Sequence, residues 1–131
     1  MEIRIRFPGN KKVSADFKDM TVLTDQPKDS GGDGSAPSPF ELFLASIGAC
    51  AGIFALSFCQ KRNIPTDGLE IIQTVSWDEE EHRVGEIAFD ITLPKDFPEK
   101  YRETLVHTVN GCTVKKHILA PPRFKVRVRP R

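Results

Sequence analysis

An α+β fold, with antiparallel sheets around a long central helix, is predicted by three features of the sequence. Short segments with a period of two cluster at the start and again from Leu69 to Leu93. A charge-free stretch, Leu42 to Cys59 (LFLASIGACAGIFALSFC), stands between the two clusters. Helix-period segments then follow the second cluster instead of alternating with its strands. Segregated elements of this kind argue against a parallel sheet wound by βαβ units. The 131 residues are enough for one domain with a real core, spanning 1–131.

Each element has a local reason. In Met1–Phe7, Ile3, Ile5 and Phe7 share one face while Glu2, Arg4 and Arg6 share the other, which predicts a half-buried strand. Pro8-Gly9-Asn10 is a turn. Lys12–Phe17 and Met20–Thr24 complete an expected three-stranded meander, the last strand rich in β-formers. Gln26–Pro39 carries Gly31, Gly32, Gly34, Pro37 and Pro39 and reads as a loop. It is not a phosphate-cradling loop, because no Lys-Ser/Thr pair follows the glycines. Ser38 can cap a helix, Pro39 suits its first position and Glu41 falls where a capping box needs an acid. The helix should run to about Arg62, where Asn63-Ile64-Pro65 stops it.

Leu69–Trp77 and His82–Leu93 read as two strands joined by an acidic turn, Asp78 to Glu81. Pro98–Val109 reads as an amphipathic helix, with Tyr101, Leu105, Val106 and Val109 at helical spacing. Asn110-Gly111 breaks it, and Thr113–Leu119 is a short last helix. Phe124, Val126 and Val128 alternate with Lys125, Arg127 and Arg129, which predicts a final strand. Ala45, Gly48, Ala49 and Gly52 form a small-residue seam on the long helix, suited to close approach by another backbone or by a dimer mate.

Composition excludes several classes of function. Hydrophobic residues make up 39% and charged residues 28%, with a formal net charge of +1, so no bulk field would recruit nucleic acid. Leu42–Cys59 reaches the length of a membrane span, but Ser46, Gly48, Gly52 and Ser57 interrupt it and no polybasic flank accompanies it. A helix apolar all round is also what the centre of a globular fold needs, so no membrane is expected. The histidines His82, His107 and His117 lack ligand spacing and the cysteines form no CxxC, so no metal is expected. No cofactor signature is present, and the expected localisation is cytoplasmic: three cysteines in no scaffold pattern suit a reducing compartment.

The chemistry-bearing candidates are the cysteines and their neighbours. Cys50 sits mid-way along the predicted helix, about three turns from its start, where the dipole helps a thiolate little. Its thiol, with an ordinary pKa of about 8.5, is either core filling or a protected nucleophile. If it reacts, a cation must sit beside it, and Arg6, Arg4 or Lys11 could supply one. Cys112 directly precedes a short helix whose free N–H groups favour a thiolate, or it simply packs and caps that helix. Cys59 lies half a turn out of phase with Cys50 and about 13 Å along the axis, so the two cannot bond across an intact helix and Cys59 reads as structural. Glu41 is a capping acceptor or a carboxylate that orients an arginine.

Three blocks then make the chain recognisable: Gly31-Gly32-Asp33-Gly34, Ser38-Pro39-Phe40-Glu41-Leu42 running on to Ala45-Ser46-Ile47-Gly48-Ala49-Cys50, and Cys112-Thr113-Val114 leading into a helix. In these the chain resembles the OsmC/Ohr family, the osmotically inducible and organic hydroperoxide resistance proteins, along nearly its whole length. The resemblance implies an intertwined homodimer with two long central helices. It implies thiol-dependent reduction of organic hydroperoxides, with Cys50 as attacking thiolate, Cys112 as resolving thiol and an external dithiol, for example of lipoyl type, as reductant. Arg6 is the nearest arginine to the position of the family's catalytic arginine, since Phe7-Pro8-Gly9-Asn10-Lys11 contains none, and Glu41 is the matching acid. Glu41 stands nine residues before Cys50 where the family usually has ten, and Thr113 follows Cys112 where proline is common, which marks a divergent branch. A ligand-binding or thiol redox-sensing dimer of the same fold is the alternative expectation.

Overall fold

The structure is a computed structural model that describes residues 1–130. Three strands, β1 (Arg4–Gly9), β2 (Lys12–Phe17) and β3 (Met20–Thr24), form an antiparallel sheet in the order β1-β2-β3. The long helix α1 (Pro39–Lys61) follows, then the antiparallel pair β4 (Glu70–Asp78) and β5 (Arg83–Thr92). Helices α2 (Arg102–Asn110), entered through the 3-10 turn Glu99–Tyr101, and α3 (Thr113–Leu119) complete the elements. This is the α+β order that the segregated sequence pattern predicts. The chain divides into two compact units, Met1–Ala45 and Ser46–Arg131.

In the first unit, the hairpins turn at residues that accept a left-handed backbone: Asn10 at φ 45° and Lys18 at φ 52°. The register shifts between Arg6 and Gly9, so β1 bulges as it reaches the first turn. β1 differs from expectation, because its whole length is exposed, with Ile3, Ile5 and Phe7 facing solvent. Its alternation is real, but the described residues supply no layer to bury the apolar face.

The 26–37 loop is more ordered than its composition suggests. Gly34 and Gly32 donate backbone N–H groups to the carbonyls of Gln26 and Pro27, and Asp25 N–H reaches the Pro37 carbonyl at 3.1 Å. A β-carbon at Gly32 would overlap the Gln26 carbonyl, so only glycine lets the loop fold back at this point.

The second unit is built on α1. Ala51, Ala55, Phe58 and Cys59 point inward and pack with Phe97, Leu105 and Val109, and Leu69, Ile71, Phe89 and Ile91 from the hairpin lie against them. The helix ends in a Schellman arrangement: Ile64 N–H donates to Cys59 O at 2.9 Å and Asn63 N–H to Gln60 O at 3.2 Å, with Asn63 at φ 53°. Ile64, beyond the end, packs against the cluster that holds Cys59, the apolar contact this motif favours. α1 is long and apolar enough to cross a membrane by length and composition alone, yet its inward stripe forms the core of this unit.

The expected strand over 124–129 is not formed. Phe124, Val126 and Val128 are at least 85% exposed and carry no regular structure. Alternation sets which side chains share a face, but a strand needs a neighbour for its N–H and C=O groups, and none of the described residues pairs with this segment.

Candidate active site

The three thiols differ first in burial. Cys112 and Cys59 are fully buried, whereas Cys50 is half-buried, and all three are free. Cys50 projects from the middle of α1, one turn before Phe54 and two before Ser57 on the same stripe of the helix. Cys112 is the residue before the first turn of α3, with φ −64° and ψ 151°, and its carbonyl accepts from Lys116 N–H at 3.1 Å. Its own N–H donates to Val109 O at 3.3 Å, so the thiol sits in the tight corner between α2 and α3. The thiol makes no capping bond there. Both cysteines belong to the second unit.

Cys59 has a structural place. Burial pushes its thiol up from the ordinary value, opposed by the positive charge of Arg62. A neutral thiol at the helix terminus fits the apolar contact with Ile64 and is a poor nucleophile.

Glu41 and Arg6 both have partners within the first unit. Glu41 N–H donates to Ser38 Oγ at 3.2 Å, and Ser38 Oγ lies 3.1 Å from Glu41 Oε1. The predicted cap is therefore present, and Leu42 N–H closes the first turn on Ser38 O. Nine residues on one helix are about two and a half turns, so the Glu41 and Cys50 side chains leave opposite faces of α1. Arg6 Nε donates to Asp16 Oδ2 at 2.9 Å, and Thr21 Oγ1 donates to the other oxygen of the same carboxylate at 2.8 Å.

The residue that sequence reasoning passed over is Asp25. It is fully buried, and its carboxylate accepts from Ser35 Oγ at 2.6 Å, Ser35 N–H at 3.1 Å and Gln26 N–H at 2.8 Å. The Ser35 hydroxyl, then its N–H, hold the Asp25 pKa down to about 2 against the cost of burial, with help from Gln26 N–H and Lys12. Lys12 in turn pairs with Asp33, which also accepts from Asn10 Nδ2 at 3.2 Å. The available signal was an acid at a strand end directly before a glycine-rich loop containing Ser35, a pattern that suits side-chain-to-backbone bonding. Among the described residues no cluster of histidine, cysteine or acid side chains is arranged to hold a metal.

An α+β chain with a half-buried cysteine on its long helix and a second at a later helix start defines a class of thiol-bearing proteins. The sequence profile of the family described as OsmC-like protein matches residues 32–127. The chain belongs to the OsmC-like protein family. Among solved structures it is similar to an osmotic stress induced and detoxification response protein from Psychrobacter arcticus, with 24% identity, 87% of this chain and 85% of that chain covered, and a TM-score of 0.73. It is similar to an organic hydroperoxide resistance protein OsmC from Legionella pneumophila, also described as a predicted redox protein, at 19% identity, coverage of 89% and 87%, and a TM-score of 0.61. A third is an organic hydroperoxide resistance protein from Vibrio cholerae with captopril bound in one of its active sites, at 19% identity, coverage of 92% and 86%, and a TM-score of 0.56. At these identities the likeness is one of fold. No curated protein matches the sequence.

Proposed function

We propose that residues 1–131 act as one domain of a cytoplasmic homodimer that reduces organic hydroperoxides by thiol chemistry. The observation that carries this reading is the accessibility order of the thiols: Cys50 is half-buried while Cys59 and Cys112 are fully buried. The Cys50 thiolate attacks the O–O bond, the O–O bond breaks, and the alkoxide leaves with a proton as the alcohol. Cys50 becomes a sulfenic acid. The Cys112 thiol condenses with it, a disulfide forms and water leaves; an external dithiol, for example of lipoyl type, is oxidised as it restores both thiols. Arg6 would be the cation that favours the thiolate and Glu41 the carboxylate that orients it. The names of the hydroperoxide resistance neighbours support the substrate class. The dimer is supported by the apolar surface that each unit leaves uncovered.

One observation favours a second reading, a ligand-binding or redox-sensing dimer without peroxidase turnover. Arg6 is held by Asp16 and Glu41 by Ser38, so both activating groups have other engagements.

The deciding experiment treats reduced protein with about one equivalent of cumene hydroperoxide, a small dose that spares cysteines from irreversible oxidation. Thiols are then mapped by intact mass and peptide digestion. The peroxidase reading expects a rapid Cys50–Cys112 disulfide, a trapped Cys50 sulfenic acid in Cys112→Ser, and neither in Cys50→Ser. Slow oxidation spread over all three cysteines would exclude it in favour of the second reading.

A further inference from the structure

Cys112 is closed off by its own chain. It is fully buried without any second copy, so a partner over the apolar faces adds to that burial and removes none of it. The thiol sits where α2 ends at Asn110 and α3 begins at Thr113, with Gly111 between them. Gly111 N–H donates to Thr108 O at 3.2 Å, so the last turn of α2 is satisfied up to the corner itself. A reagent in solvent reaches the Cys112 sulfur only when this corner opens, which is a local event and not an unfolding of the whole core.

One side chain ties the corner together. Lys115, in the first turn of α3, is half-buried. Its Nζ lies 4.4 Å from the ring centroid of Phe89 on β5, and it donates to Asn110 Oδ1, at the end of α2, at 3.4 Å. A single ammonium on α3 therefore joins β5 and α2 beside the buried thiol. None of the ion pairs among the described residues includes Lys115, so the ring and the amide are what hold its charge. A partly desolvated cation over an aromatic face is held more firmly than an exposed one, and the stem of the lysine adds apolar contact.

We propose that Lys115 clasps the α2–α3 corner shut over Cys112, so that this thiol exchanges with Cys50 and not with thiols from solvent. The clasp deepens the peroxidase reading of the same site and rests on it for its role in turnover. In the reducing half of that cycle, a thiolate of the external dithiol attacks the Cys50 sulfur. The Cys50–Cys112 bond breaks, its electron pair goes to the Cys112 sulfur, which takes up a proton, and a mixed disulfide forms at Cys50. The second thiol of the dithiol loses its proton and attacks the dithiol sulfur of that mixed disulfide. This closes the dithiol's own disulfide and releases Cys50 as thiolate. The closed corner excludes the other product, a mixed disulfide at Cys112.

The test needs neither peroxide nor the Cys50 thiol. The full chain with Cys50→Ser is reduced and treated with methyl methanethiosulfonate, a small neutral reagent that turns a thiol into a methyl disulfide with loss of methanesulfinate. Samples are quenched in acid and digested, and Cys112 and Cys59 are followed separately by mass. Native Cys112 should react about a hundredfold or more slowly than in urea-unfolded protein, as a closed corner requires. Lys115→Met keeps the length of the side chain without its charge and should speed Cys112 about fivefold, a size that a partly buried cation–π contact supports. Removing a nearby cation disfavours a thiolate, so electrostatics alone would slow the reaction. Lys115→Arg keeps a cation for the ring and should stay near the parent rate. Phe89→Leu should match Lys115→Met, and the double variant should be no faster than either, because both remove one contact. Cys59, equally buried on α1, is the internal control and should keep its rate in the Lys115 variants. Native Cys112 reacting as fast as in unfolded protein, a Lys115→Met rate equal to the parent, or Cys59 accelerating by the same factor would each overturn the clasp. Should the cumene hydroperoxide experiment fail while these rates hold, the peroxidase reading falls and the clasp stands.

Discussion

Asp25 shows how much a single buried carboxylate can organise. Its oxygens collect Ser35 and Gln26, while Lys12 approaches to 3.9 Å, so the charge ties both ends of the glycine-rich loop to the end of β3. The folded pKa, about 2, lies below the ordinary 3.8. A depressed acid contributes stability above its unfolded pKa and loses it as pH falls through the folded value. The wild type should therefore lose stability between about pH 4 and pH 2 through this group, and Asp25→Asn should lack that component. Thermal melts across that window check it: a constant gap between the two proteins at every pH would remove Asp25 as the cause. Lys12 runs the other way, raised by its bond to Asp33 from an ordinary 10.5, so its contribution is present at neutral pH and fades at strongly alkaline pH. Cys59 is predicted to be structural at the same scale. Cys59→Ala should cost about 1–2 kcal/mol from lost packing and leave peroxide turnover intact; a loss of turnover without loss of stability would contradict a purely structural thiol.

At the level of elements, the N-terminus of α1 offers a way to separate structure from catalysis. Ser38→Ala removes the hydroxyl that faces Glu41 and should lower stability by about 1 kcal/mol, while the peroxide reaction proceeds. Glu41→Gln keeps the length and hydrogen-bonding capacity of the side chain but not its charge. If the carboxylate orients a cation for Cys50, this variant should slow the reaction with hydroperoxide while melting close to wild type. Equal rates in stopped-flow thiol oxidation would confine Glu41 to capping. Most elements were legible because their signals are local. Strands β2, β3 and helix α3 fall where alternation, turn residues and the 3.6 period put them, and Ser38, Pro39 and Asn63 mark the ends of α1. What was not legible depends on neighbours. The alternation of Ile3, Ile5 and Phe7, and of Phe124, Val126 and Val128, predicts a face but cannot supply the surface that buries it. The same limit applied to the site: Cys50 stood out by its place in a charge-free helix, whereas Asp25 gained its importance from Ser35, ten residues away.

Across the whole molecule, the distribution of apolar side chains argues for association. Among the described residues, nine apolar side chains are buried while eighteen large ones are exposed, so the core is small beside the apolar surface that remains. In the first unit the exposed set includes Ile5, Phe7, Phe40 and Phe43; in the second it includes Ile53, Ile72, Trp77 and Phe124. Apolar surface contributes about 25 cal/mol for each Å² removed from water, so covering these side chains would stabilise the fold substantially. Surface of this extent on a monomer marks an interaction site, and the proposed homodimer would cover it with a second copy of the same chain. When folding and assembly are coupled, stability depends on protein concentration. The melting temperature should rise steadily over a hundredfold increase in concentration, and light scattering should give the mass of two chains at the upper end. Replacing Phe7 and Val126 by Ser, both exposed and outside the core cluster, should shift the equilibrium toward the monomer and lower the melting temperature at fixed concentration. A melting temperature independent of concentration, with a monomer mass throughout, would leave the exposed faces without the partner proposed for them.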